Sequence, residues 1–126
     1  MGMIKILVAD DEPDVLFMTS FSLRSLGGFE VIEAHNGAEA VELALQVTPE
    51  LLVLDIKMPR MTGYEACREL RKYPQFASTP IILLSAKGQK TEIEEGWESG
   101  ATEYMLKPYA PATLIGRVRE LLSTRA

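Results

Sequence analysis

Five short apolar runs, set apart by stretches of helical spacing, constrain the fold of this chain more than any other feature. They are Ile4-Lys5-Ile6-Leu7-Val8-Ala9, Phe29 to Ala34, Leu51 to Leu54, Ile81 to Leu84, and Tyr104 to Leu106. The first, third and fourth are nearly continuous instead of alternating. A strand wetted on one face alternates apolar and polar residues. A strand covered on both faces does not, and double cover is the habit of parallel sheets packed between helices.

The stretches between the runs carry helix start and stop signals. A first helix begins near Pro13, a residue suited to a first turn, and stops at Gly27-Gly28. A second spans about Ala38 to Val47, with Asn36-Gly37 before it and Pro49 after it. A third covers about Tyr64 to Lys72 and ends before Pro74, a fourth about Lys90 to Ser99 and ends at Gly100, and a fifth about Pro111 to Ser123. Alternating strands and helices joined by short connections predict a doubly wound α/β fold, because crossovers between parallel strands are right-handed. The expected sheet is open, five-stranded and parallel, in the order 2-1-3-4-5, with five helices.

At 126 residues the chain is expected to form one domain over residues 1–126, with room for a core that needs no disulfide or metal clip. The single Cys67 cannot pair within the chain, which favours a reducing, cytoplasmic setting. No apolar run approaches a membrane span, and Ile6 stands where a myristoylation motif after Gly2 needs Ser or Thr. A net charge of −5 argues against direct nucleic-acid binding by this domain, since phosphates call for a basic face. The polar end Ser123-Thr124-Arg125-Ala126 is the place for a linker.

Ligands of doubly wound sheets sit beyond the carboxyl ends of the strands, where the strand order reverses. Here that is the gap between the first and third strands. The first ends in Asp10-Asp11 and the third in Asp55, so three carboxylates converge. Such a cluster is unfavourable unless a proton or cation neutralises it, and Mg2+ is the hard, oxygen-seeking ion that fits. A single acid at a strand end is ordinarily a solvated loop residue or a helix cap; three together argue for a site. Ser85 ends the fourth strand and Lys107 the fifth. Each is commonplace alone. At one rim they add a hydroxyl and a fixed positive charge, completing the parts that phosphoryl transfer to Asp55 requires.

With these residues in view, the chain closely resembles the receiver domain of bacterial two-component response regulators over essentially its whole length. The resemblance is carried by Asp10-Asp11, by Leu54-Asp55-Ile56-Lys57-Met58-Pro59-Arg60-Met61-Thr62-Gly63, by Leu84-Ser85-Ala86, and by Gly100-Ala101 through Tyr104 to Lys107-Pro108. It implies a flavodoxin-like sheet in which Asp55 accepts a phosphoryl group from a phosphohistidine on a sensor histidine kinase or histidine phosphotransfer protein. Asp11 would bind Mg2+ directly, Asp10 largely through water, and the backbone carbonyl of Lys57 would be a further ligand beside Asp55. Ser85 and Lys107 would contact the phosphoryl oxygens, and the Lys107-Pro108 bond would be cis. Pro59 and Gly63 would shape the loop after Asp55. Ser85 and Tyr104 would form the switch, with the fourth helix, fifth strand and fifth helix as the answering surface. Such a domain catalyses only its own phosphorylation and dephosphorylation and is not otherwise an enzyme.

Departures from the family pattern bear on partners. Glu103 and Arg117 match a charge network through which DNA-binding members dimerise, but Ile93 replaces a usual base and Thr113 a usual acid. Monomer and phosphorylation-dependent homodimer both stay open. Lys57 and Lys87 stand two residues beyond Asp55 and Ser85, where the family tunes access of water to the acyl phosphate. Val15, Met18, Ser22 and Leu26 describe an inward stripe for the first helix, which sends Phe17 and Phe21 toward solvent or an edge. There they are candidates for docking the kinase, against plain packing. Trp97 is expected to pack in the core.

Three rivals share part of this pattern. A flavin-binding flavodoxin would offer hydroxyls and amides in its first loop, where Asp10-Asp11-Glu12 stands. An aspartyl-phosphate phosphatase usually has a second Asp two residues after the nucleophile, where this chain has Lys57. A non-phosphorylated adaptor of the same fold needs neither Asp55 nor Lys107.

Overall fold

A computed structural model describes residues 3–86 and 90–123. The elements run β1 (Lys5–Ala9), α1 (Pro13–Ser25), β2 (Glu30–Ala34), α2 (Gly37–Val47), β3 (Leu51–Asp55), α3 (Gly63–Arg71), β4 (Ile81–Ser85), α4 (Lys90–Glu98), β5 (Glu103–Leu106) and α5 (Pro111–Ser123). A short 3-10 turn at Pro74–Phe76, unforeseen in the sequence, buries Phe76 between α3 and β4. The five strands form one parallel sheet in the order β2-β1-β3-β4-β5, as expected.

Strand residues divide by parity between two apolar cores. Leu7, Leu52, Leu54, Ile81 and Leu83 join one with Ala40, Ala44, Ala66, Cys67 and Leu70 of α2 and α3. Ile6, Val8, Leu51, Val53, Ile82 and Leu84 join the other with Leu16 and Leu23 of α1 and Leu114, Ile115 and Val118 of α5. The continuous apolar runs exist because both faces of the middle strands are roofed. A fully buried Leu or Ile contributes roughly 2 kcal/mol, so the paired cores account for much of the sheet's stability.

The helices are started by local chemistry. Asn36 caps α2 by accepting from Glu39 N–H at 2.8 Å, and Thr62 and Glu65 close a reciprocal capping box on α3. Pro13 opens α1 without a side-chain cap. The buried face of α1 differs from the expected one. It is Leu16, Thr19, Ser20 and Leu23, whereas Met18 and Leu26 are 65% and 58% exposed. Phe17 and Phe21 do face outward, stacked with ring centroids 6.0 Å apart. Trp97 is also mostly exposed, contrary to the core role expected of it. Cys67 is buried and unpaired. No described helix is long and apolar enough to cross a membrane.

Candidate functional site

Sheet register alone brings the candidate residues to one edge. Ala9 lies beside Leu54, so Asp10 and Asp55 leave the sheet at the same level. Asp55 lies beside Leu84 and Ser85 beside Leu106, which sets Ser85 and Lys107 along the same rim. A cleft of about 220 Å3 opens there, lined by Asp11, Glu12, Asp55, Lys57, Ser85 and Lys107 among others.

Oxygen atoms of Asp10, Asp11 and Asp55 lie within 4.8 Å of one another, the one such gathering of metal-ligand side chains among the described residues. Asp10 and Asp55 are buried; Asp11 is exposed. The Lys107 ammonium bridges the two buried acids, at 2.9 Å from Asp55 Oδ1 and 3.1 Å from Asp10 Oδ2. The other oxygen of Asp10, Oδ1, accepts from Glu12 N–H at 3.0 Å and braces the turn into α1.

The charges do not balance. Burial pushes the Asp55 carboxyl up to about 6, with Asp10 and Asp11 adding to the rise and Lys107 opposing it. For Lys107, burial alone favours the neutral amine, but hydrogen bonds to Asp55 and Asp10 outweigh it and hold the group above its ordinary value. One cation among three acids leaves net negative charge in a small cleft, and every donor is a hard oxygen. That is the character of a Mg2+ site, so the residues fit the ion that the sequence calls for.

The loop after Asp55 is shaped by close backbone approach. A Cβ on Gly63 would lie 2.4 Å from the Asp55 carbonyl oxygen, so only glycine lets the chain turn back there. Arg60 adopts a φ of 70°, in the left-handed region that non-glycine residues seldom occupy. Gly37 N–H, unsatisfied within its own helix, donates to Met61 O at 3.1 Å and ties the loop to α2. This tie was not foreseen. A Cβ on Gly37 would sit 2.1 Å from that oxygen.

The remaining candidates fall in two places. Ser85 is buried at the cleft wall, Lys57 is exposed at its mouth, and Lys107-Pro108 is cis. Tyr104 lies away from the cleft, half-buried, with its ring against Gly96 of α4, where a Cβ would come within 3.2 Å. Lys87 lies outside the described residues. Glu12, in the sequence only a member of the first loop, also lines the cleft, and Lys107 reaches Asp10 as well as Asp55. The adjacency of Glu12 to Asp10-Asp11 was the available signal for its place there.

Known proteins share this arrangement. A family model described as "Response regulator receiver domain" matches residues 6–119. The transcriptional regulatory protein SrrA of Staphylococcus aureus is 41% identical over 118 residues, which are 94% of this chain and 47% of SrrA. The chain thus spans about half the length of the curated relatives it matches. The solved chemotaxis protein CheY4 of Vibrio cholerae superposes with a TM-score of 0.90 at 32% identity, covering 95% of this chain and 99% of that one. The receiver domain of a sensor histidine kinase from Pseudomonas aeruginosa, solved with magnesium in its active-site cleft, has a TM-score of 0.90 at 28% identity. It covers 97% of this chain and 99% of its own.

Proposed function

This chain belongs to the response regulator receiver domain family of two-component systems, and from that premise we propose that Asp55 is its phosphoacceptor. The observation that carries the reading is the Asp55 carboxylate at the sheet edge, beside Asp10 and Asp11 and 2.9 Å from the Lys107 ammonium. An Asp55 oxygen bonds to phosphorus as the phosphorus–nitrogen bond of a phosphohistidine breaks, leaving an acyl phosphate on the domain. The donor is a sensor histidine kinase or a histidine phosphotransfer protein in the cytoplasm. Beyond its own phosphorylation and dephosphorylation the domain has no enzymatic role.

Asp10, Asp11, Asp55 and the Lys57 carbonyl are the groups that would hold Mg2+. When bound, that ion supplies positive charge against the oxygens of the transferred group. The similar Pseudomonas domain with magnesium in its cleft supports the assignment. Lys107 offers its ammonium to a phosphoryl oxygen, and Ser85, across the cleft, offers its hydroxyl. Lys107 already stands between Asp10 and Asp55, and Ser85 lines the same cleft.

The signal leaves through Tyr104. Its ring packs on Gly96, so a shift of Ser85 toward the phosphoryl group and of Tyr104 inward changes how α4 rests on β5. The α4-β5-α5 face then answers to a downstream partner or effector segment. Beryllofluoride with Mg2+ tests this by amide NMR. Shifts at Ser85, Tyr104 and α4 in the wild type, absent in Asp55→Asn, are expected; an unmoved wild-type spectrum refutes the reading.

A further inference from the structure

The loop between β5 and α5 carries Lys107 and is tied on two sides. At its start, Lys107 N–H donates to Ser85 O at 2.7 Å. Pro108 then has no N–H to give. At Tyr109 the phenol hydroxyl is hydrogen-bonded to the Thr19 hydroxyl of α1, across 90 residues of chain. Beside that bond the loop stands off from α1, because a groove of about 410 Å3 opens between them, bordered by Val15, Met18 and Ser22 on one side and Pro108, Tyr109 and Pro111 on the other.

Thr19 is a costly residue for its place. It sits buried on the inward face of α1 between Leu16 and Leu23, where an aliphatic side chain would favour both helix and core. A buried hydroxyl is tolerated when it has a partner, and here the partner is Tyr109. The Tyr109 ring packs against the α1–α5 core, so its hydroxyl is presented from a fixed base. Burial also pushes the phenol above its ordinary value. Lys107, by contrast, is a flexible side chain that must hold its ammonium between Asp10 and Asp55.

We propose that Tyr109 and Thr19 are positioning residues for Lys107. Their hydrogen bond pins the loop to α1 and thereby sets where the Lys107 ammonium stands in the cleft. The proposal rests on the phosphoacceptor reading of Asp55. Neither hydroxyl touches the reacting atoms.

Phosphorylation by acetyl phosphate, followed by intact-protein mass against Mg2+ concentration, tests it. Tyr109→Phe removes one oxygen and keeps the ring in the core, so it carries the test even where Thr19→Val is unstable. At saturating Mg2+ each of these variants is expected to react about five-fold more slowly, with half-saturating Mg2+ within about two-fold of wild type. The double variant is expected to be no slower than either single one, since both break the same bond. Thr19→Ser, which keeps the hydroxyl, is expected to react at about the wild-type rate. Wild-type rates in Tyr109→Phe, multiplicative losses in the double variant, or a parallel shift in the Mg2+ requirement would overturn the proposal. A reactive wild type with unaffected variants sinks this inference alone; an unreactive wild type sinks the phosphoacceptor reading with it.

Discussion

At neutral pH Asp55 carries its charge against its surroundings, since burial and two neighbouring acids outweigh the single Lys107 ammonium and raise its carboxyl to about 6. In the unfolded chain the same group ionises near its ordinary value of 3.8. The native state therefore holds the proton more tightly. Stability from this group falls as pH rises from about 4 to about 6, and above 6 the full cost is present. Asp55→Asn never ionises. In chelator-treated protein it is expected to be more stable than wild type at pH 7.5, by on the order of 1 kcal/mol, part of the cost of the buried charge being offset by the Lys107 ammonium. The advantage should vanish near pH 4, and Mg2+ should reverse it. Thermal melts across pH check all three signs. The acids were legible because each directly follows an apolar run, so strand register carries them to one edge. Lys107 was legible at the same rim, but its bridge to Asp10 was not, because nothing local tells a lysine at a strand end which acids it meets.

The loop from Asp55 to Gly63 is an element without regular structure that is nonetheless closely specified. Gly63 lets it close on the Asp55 carbonyl, Thr62 and Glu65 cap the helix that follows, and Gly37 accepts its approach from α2. Gly37→Ala forces a Cβ to within 2.1 Å of Met61 O, so loop or helix must move. We expect a loss of about 2 kcal/mol by urea titration, as for other overpacked sites, together with weaker Mg2+ binding because the Lys57 carbonyl shifts. Unchanged metal affinity at reduced stability would confine the effect to packing. Sequence pattern exposed Gly63, which lies in the motif itself, and missed Gly37, whose partner is distant in the chain. It also chose the wrong face of α1. Val15, Met18, Ser22 and Leu26 fit a helical period as well as Leu16, Thr19, Ser20 and Leu23 do. Two hydroxyl residues on the true face hid it, and one of them is there for Tyr109.

On the scale of the molecule, two cores support the five strand ends, and separate surfaces flank that edge. On the α1 side, Phe17, Met18 and Phe21 stand exposed beside the groove that leads to Lys107. If this patch docks the phosphodonor protein, Phe17→Ala and Phe21→Ala should each slow transfer from the cognate kinase several-fold, or about 1 kcal/mol, and leave acetyl phosphate reactivity unchanged. Equal kinase rates in both variants would exclude a docking role. On the α4-β5-α5 side, Arg117 pairs within the chain, with Glu103 at 2.8 Å and Glu120 at 3.3 Å. A dimer that recruits Arg117 across that face must first break those pairs. The fold class and strand order followed from the alternation of runs and helices, whereas exposure of Trp97 did not, because hydrophobicity reports what a side chain prefers and not whether a partner is present.

Asp55 is tested most directly by the intact mass of the protein after incubation with acetyl phosphate and Mg2+, with fragment mapping of any adduct. One added phosphoryl group is expected, carried by the peptide containing Asp55, not formed when chelator is present during the incubation, and absent from Asp55→Asn. No adduct in the wild type, or an equal adduct in Asp55→Asn, would contradict it.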